Sequence, residues 1–163
     1  MELKRVIEAI EIQSGLMSEL LQVLERETGE MGSININAMS MTNLTKEELT
    51  ARITAHTPLF QQAVSALATR EELPASTSLG AIAEHLAKKG SRELRTKQQQ
   101  LLRLAERVRR ATSLNREIAE RFTSMVADSL GLMTRLINQS NVYGASGGYQ
   151  QRPATAVLIN REA

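Results

Sequence analysis

Few residues in this chain are equipped for chemistry, and those few are scattered. The two histidines, His56 and His85, fall in separate segments with no motif around either. There is no cysteine and no His-x-x-x-His spacing, so the usual nitrogen and sulfur ligand sets for zinc are missing. Asp128 is the sole aspartate. Glu47/Glu48 and Glu71/Glu72 are adjacent in sequence. On a helix neighbours point about 100° apart, which denies them the shared target of an acid/base couple. The glycine-rich run GASGG at 144–148 follows a helical pattern rather than a strand and carries no lysine. It reads as a hinge that ends a helix, not as a phosphate cradle. The expectation is a protein without enzyme activity, metal or cofactor.

Two features remain that can do work through binding. The first is basic. Residues 88–110 carry nine Lys/Arg against Glu93 and Glu106, and on one continuous helix Lys88, Arg92, Arg95, Arg103, Arg107 and Arg110 share a side. Such a stripe can track phosphates. It contains no aromatic residue for base stacking and matches no nucleic-acid-binding motif. Residues 1–30 carry seven Glu against Lys4, Arg5 and Arg26. The stripe therefore reads first as a solvated face whose edges meet that acidic segment. A protein partner or a nucleic acid are the other readings.

The second feature is apolar. Phe122, Met125, Val126, Leu130, Leu132, Met133, Leu136 and Ile137 cover more than one helical seam. A narrow helical hairpin buries one stripe, so the surplus is either covered by a third helix or offered to a partner helix. Its methionines suit an adaptable contact surface.

These features need long helices to position them. Leu3, Val6, Ile10, Met17, Leu20 and Leu24 recur at helical steps and predict a helix over about 2–28, stopped by Gly29 and Gly32. GSININAMSM (32–41) reads as a connector. Thr45–Glu48, TKEE, has the form of a capping box and opens a predicted helix over about 45–72. Pro58 inside it predicts a kink or break near 54–57. Ser78 or Thr77 caps a short helix over 79–89, closed by Gly90. A last helix is predicted over about 92–140. Leu101, Val108, Asn115, Phe122, Ser129 and Leu136 form one seven-residue series in it, and Leu104, Ala111, Ile118, Met125 and Leu132 the other. That repeat marks a left-handed coiled-coil seam.

Composition agrees. Hydrophobic residues make up 42% of the chain and aromatics only 2%, which favours aliphatic helical packing over strand-built folds. The N-terminal residues show no uninterrupted apolar run of a signal peptide, and no stretch is apolar enough to span a membrane. The fold expected is all-α: an elongated antiparallel helical hairpin or bundle with coiled-coil packing, a long C-terminal helix and a disordered tail. Residues 1–141 form the single domain expected and 142–163 the tail. A basic coiled-coil nucleic-acid binder and a structural coiled-coil scaffold remain alternatives on these observations.

The order of elements resembles the FlgN-type flagellar export chaperones. NLTKEEL (43–49) is similar to the family's Lys-x-x-Leu step, at Lys46 and Leu49. SLGAIAEHL resembles its short variable-region helix. ATSLNREIAERF (111–122) resembles its Asn-x-x-Leu/Ile step, at Asn115 and Ile118. LINQSNVYGASGGY resembles its terminal Tyr-Gly-x-x-Gly signature, at Tyr143, Gly144 and Gly147. The resemblance covers 1–148; MGSININAMSM departs from it, and 150–163 match none of its features.

That resemblance implies a cytoplasmic chaperone, without ATP hydrolysis of its own. Such a chaperone binds the hook–filament junction (hook-associated) proteins, keeps them unassembled and hands them to the flagellar type III export gate and its ATPase complex. No nucleic acid and no membrane insertion are expected, and the chain is a monomer or weak homodimer. The residues expected to bind the client are Phe122, Met125, Val126, Leu130, Met133, Leu136 and Ile137. Those expected to dock on the gate are Tyr143, Gly144 and Tyr149, aromatic anchors on a glycine-rich tail whose Pro153 blocks helix.

Overall fold

The computed structural model describes residues 1–139, with side chains through Leu136. The described residues form four helices: α1 (Glu2–Gly32), α2 (Ile36–Arg70), α3 (Leu79–Lys88) and α4 (Glu93–Gln139). The chain divides into two compact units, Met1–Ile118 and one that begins at Ala119.

Within the first unit α1 and α2 are antiparallel. Gln13 faces His56, Glu19 faces Arg52, and Glu27 faces Lys46, so positions rise along one helix as they fall along the other. α4 runs parallel to α1, with Glu11 paired to Lys97 at 2.7 Å and Glu25 to Arg107 at 3.4 Å. These are the edge contacts that the opposed charge of the two segments implied. The same arrangement needs no strand among the described residues.

The apolar core lies where the start of α1, the end of α2, α3 and the start of α4 converge. Val6, Ile10, Leu67, Ala68, Ile82, Ala83, Leu86 and Leu94 are buried there, flanked by Phe60, Val64 and Leu101. α3 is short, but it lays Ile82, Ala83 and Leu86 into that core. Ser78 starts it by accepting from the backbone N–H of Ala81. It ends in a Schellman turn, with Gly90 N–H bonding Ala87 and Ser91 N–H bonding Leu86, and Gly90 takes the φ of +98° that this turn requires.

Two boundaries differ from the sequence reading. α1 continues to Gly32, and α2 begins at Ile36, not near 45. The connector shrinks to a turn in which Ile34 N–H bonds Met31 and Asn35 N–H bonds Glu30. Ile34 adopts φ +54° and thereby occupies the left-handed position that glycine usually takes. The Asn35 side chain then caps α2 by accepting from Ala38 N–H at 3.1 Å. Thr45 is consequently interior; its hydroxyl bonds the Met41 carbonyl, as helix-interior threonines do, and no capping box forms. α2 is continuous through Pro58, so the break predicted near 54–57 is absent. Arg70 ends α2 with a further Schellman turn, in which Glu72 holds φ +60°.

Candidate functional site

The seven-residue seam of α4 is followed by the structure residue by residue. Leu101, Leu104, Val108, Ala111, Asn115 and Ile118 are all buried or half-buried. From Phe122 onward the same series is solvent-facing. Phe122 and Val126 are about two-fifths exposed, and Met125, Leu130, Leu132, Met133 and Leu136 between 56% and 60%. The side chain of Ile137 and the whole of Tyr143, Gly144 and Tyr149 lie outside the described residues. The exposed positions are clustered by helical geometry. At about 100° per residue, Leu132 through Leu130 span an arc of roughly 160°, wider than a coiled-coil seam.

Inside the first unit, the last buried seam position is polar. Asn115 is 5% exposed, and its Nδ2 donates to the Leu24 carbonyl and to Glu27 Oε2, both at 2.8 Å. Thr28 Oγ1 lies 2.5 Å from Asn115 Oδ1. The other Glu27 oxygen pairs with Lys46 Nζ. One buried carboxylate on α1 is thus shared by a lysine from α2 and an asparagine from α4. Leu49, one turn beyond Lys46, is buried beside them in α2. A buried Asn in an apolar seam fixes register, because any slip leaves its amide unpaired.

The basic stripe is reorganised. Lys88 belongs to α3 and is separated from α4 by the Gly90 turn, so the six cations do not share one helix. Lys88 pairs with Glu84, and Arg107 with Glu25. Arg110 and Arg109 both donate to Glu106, and those bonds, led by Arg110, hold its carboxyl below the ordinary value of 4.5. The hydrogen bond from Lys89 Nζ to Glu71 Oε2, at 2.8 Å, likewise holds Glu71 below 4.5 and ties the end of α3 to the end of α2.

The two histidines stand in different surroundings. His56 Nδ1 lies 2.8 Å from the Oε1 of buried Gln13 and ties α2 to α1. His85 is half-buried in the last turn of α3, and its Nε2 is buried with no hydrogen-bond partner. Among the described residues no group of three His, Cys, Asp or Glu side chains is placed to hold a metal ion. No helix of the described residues is long and apolar enough to cross a membrane.

The order of these elements has a counterpart among known families. The family model described as FlgN protein matches residues 1–151. The chain belongs to the FlgN family. It is therefore a flagellar export chaperone, a protein that binds flagellar substrate proteins. No curated protein and no solved structure matches it. In this FlgN-family chain the two interior motif steps, at Lys46 and at Asn115, meet on a single residue, Glu27. Glu27 carried no flag in the sequence beyond its place three residues after Leu24, at a step where the apolar series calls for another aliphatic side chain.

Proposed function

We propose that this chaperone binds the hook–filament junction proteins in the cytoplasm through the apolar face of α4 between Phe122 and Ile137, and delivers them unassembled to the flagellar export gate. The observation that carries the proposal is the change along the α4 seam. Its apolar series is covered as far as Ile118 and exposed from Phe122 to Leu136. Contiguous exposed apolar surface, rich in methionine, is the usual form of a surface that receives an amphipathic helix. A half-exposed patch of this size supports a moderate, reversible contact, which suits a client that must be released.

In this reading residues 1–141 act as the chaperone domain and 142–163 as a tail, with Tyr143, Gly144 and Tyr149 docking on the gate or its ATPase complex. The chaperone needs no catalytic group of its own. Truncation after Asn141 tests the division of labour. Client binding should be retained while gate binding and delivery are lost; normal export by the truncated protein would refute the role of the tail. Salt dependence separates the reading from nucleic-acid binding. Client affinity should change little between about 50 and 200 mM salt, a range over which phosphate binding falls steeply.

A further inference from the structure

The first unit carries an apolar feature separate from the exposed face of α4. Between α1, α2 and α4 lies an open groove of about 880 Å³, floored by Leu20 and Leu24 of α1 and walled by Thr50, Ala51, Thr54 and Ala55 of α2. Thr112 of α4 forms the opposite wall, and Asn43, Lys46 and Glu47 stand at one end. The α2 wall is two adjacent ridges of small side chains at four-residue spacing, which lets another backbone approach closely. The groove does not have the convergent polar groups that orient a small ligand.

We infer that this groove holds a segment of the same chain, Ala154–Ile159, so that the tail closes into a loop on its own helices. Length comes first. The α2 wall from Asn43 to Ala55 rises roughly 18 Å at about 1.5 Å per residue. Six extended residues span about 17 Å, and ATAVLI is the one unbroken run of small and apolar side chains beyond Gln139. Thr155, Val157 and Ile159 are β-branched and suit an extended backbone, in which alternation turns them to one side. Because the groove is open, the outward N–H and C=O groups of such a segment keep water as their partner.

Reach and charge agree with that occupant. From Thr112 to Gln139 α4 rises at most about 40 Å, whereas the chain from Gln139 to Ala154 extends to about 50 Å. A chain returning from the end of α4 runs antiparallel to α4, and so alongside α2 in α2's own direction. It meets the Asn43 end of the groove first, since that is the end where Asn115 joins Glu27 and Lys46. Arg152, two residues before the segment, then arrives beside exposed Glu47 on the rim. The neighbouring Lys46 is already paired with Glu27 and does not oppose it. Tethering supplies the strength. A few apolar side chains hold a separate peptide weakly, but a segment on the same chain stands at an effective concentration on the order of millimolar. Resting on the reading that Tyr143 and Tyr149 dock on the gate, the contact places both on a loop anchored at each end. Such a loop has less chain freedom to lose on docking than a free end.

The chain has no cysteine, so disulfide trapping in the full chain tests the contact directly. Thr112→Cys, in the groove wall, is paired in turn with Val157→Cys and with Leu158→Cys, one for each side of an extended segment. The control uses Leu114→Cys instead, an exposed position two residues on and about 200° round α4, within equal reach of the tail. In a glutathione buffer, the faster of the two groove pairs should close an intramolecular disulfide at least tenfold faster than its control, because closure needs Cα atoms within about 7 Å. Adding Ala51→Arg should remove that advantage, with circular dichroism verifying that the helices are kept. Equal rates in groove and control pairs, or an advantage that survives Ala51→Arg, would overturn the inference. So would a product that is chiefly a disulfide-linked dimer, which would give the groove to the tail of another copy. No client or gate enters this readout, so its failure leaves the proposed function standing.

Discussion

Replacing Asn115 by alanine is the sharpest perturbation of the first unit. The side chain donates to the Leu24 carbonyl and to Glu27 Oε2, both at 2.8 Å, and is almost fully buried. A bond to a neutral carbonyl contributes about 1 kcal/mol and one to a charged acceptor about 1.5–3 kcal/mol. The substitution also leaves the buried carboxylate with Lys46 as its remaining charged partner. The combined cost is about 2–4 kcal/mol. With a urea dependence of about 1–3 kcal/mol per molar, the unfolding midpoint should fall by roughly 1–2 M. Lys46→Met supplies the second edge of a double-mutant cycle. Because both residues satisfy the same carboxylate, losing the second partner should cost more than losing it alone, with a coupling of about 1 kcal/mol. Urea titrations followed by far-ultraviolet circular dichroism measure both quantities. A cost below about 0.5 kcal/mol, or a double variant whose effects simply add, would show that Glu27 does not join the three helices in solution.

Ile34→Gly should stabilise the protein by roughly 0.5–1 kcal/mol, since a β-branched residue at φ +54° is strained by about 1–2 kcal/mol and glycine gives back part of that in chain entropy; a lower thermal midpoint would contradict the turn. Asn35→Ala should cost about 1 kcal/mol as a lost N-cap, whereas Thr45→Ala should be nearly neutral; chemical denaturation of the pair would reverse this order if α2 began at Thr45. The carboxyls of Glu71 and Glu106 are held below 4.5, so their stabilising contribution is present above that pH and is lost as pH falls through the depressed values. Thermal midpoints across acidic pH should drop below about 4.5, and Glu71→Gln should make the drop shallower.

The legible parts of the fold were those set by periodicity. The seam Leu101, Leu104, Val108, Ala111, Asn115 and Ile118 was readable because a sustained seven-residue step has few alternatives. Ser78 and Gly90 marked α3 because each stands at the position where its capping chemistry acts. The α1–α2 turn was misread for equally local reasons. Ile34 and Ile36 alternate like a strand, but one sits in the left-handed turn position and the other is the first residue of α2. TKEE satisfies the form of a capping box, yet a box has no means of registering that its helix started nine residues earlier at Ile36. Gly32 was the obvious stop, and the left-handed residue is instead Ile34.

For the site, the apolar surplus beyond Asn115 was visible as a pattern too wide for one seam. Its exposure was not visible, because periodicity says which residues share a face and nothing about what covers it. The meeting of Lys46, Asn115 and Glu27 was hidden for a related reason. It joins three helices across long sequence separations, and a glutamate at an apolar step carries no indication of its partners. The basic stripe misled in the opposite direction, since it assumed one helix through Gly90, where the chain turns.

The central claim, that the exposed face of α4 holds the client, is most directly tested by titrating a fragment carrying the terminal helices of a hook–filament junction protein into the full chain by calorimetry. Wild-type protein should bind with a negative heat-capacity change, the mark of apolar burial. The double variant Leu130→Asp, Met133→Asp, with its helical circular dichroism intact, should lose binding by at least a hundredfold. Undiminished affinity in that variant would place the client elsewhere and contradict the account.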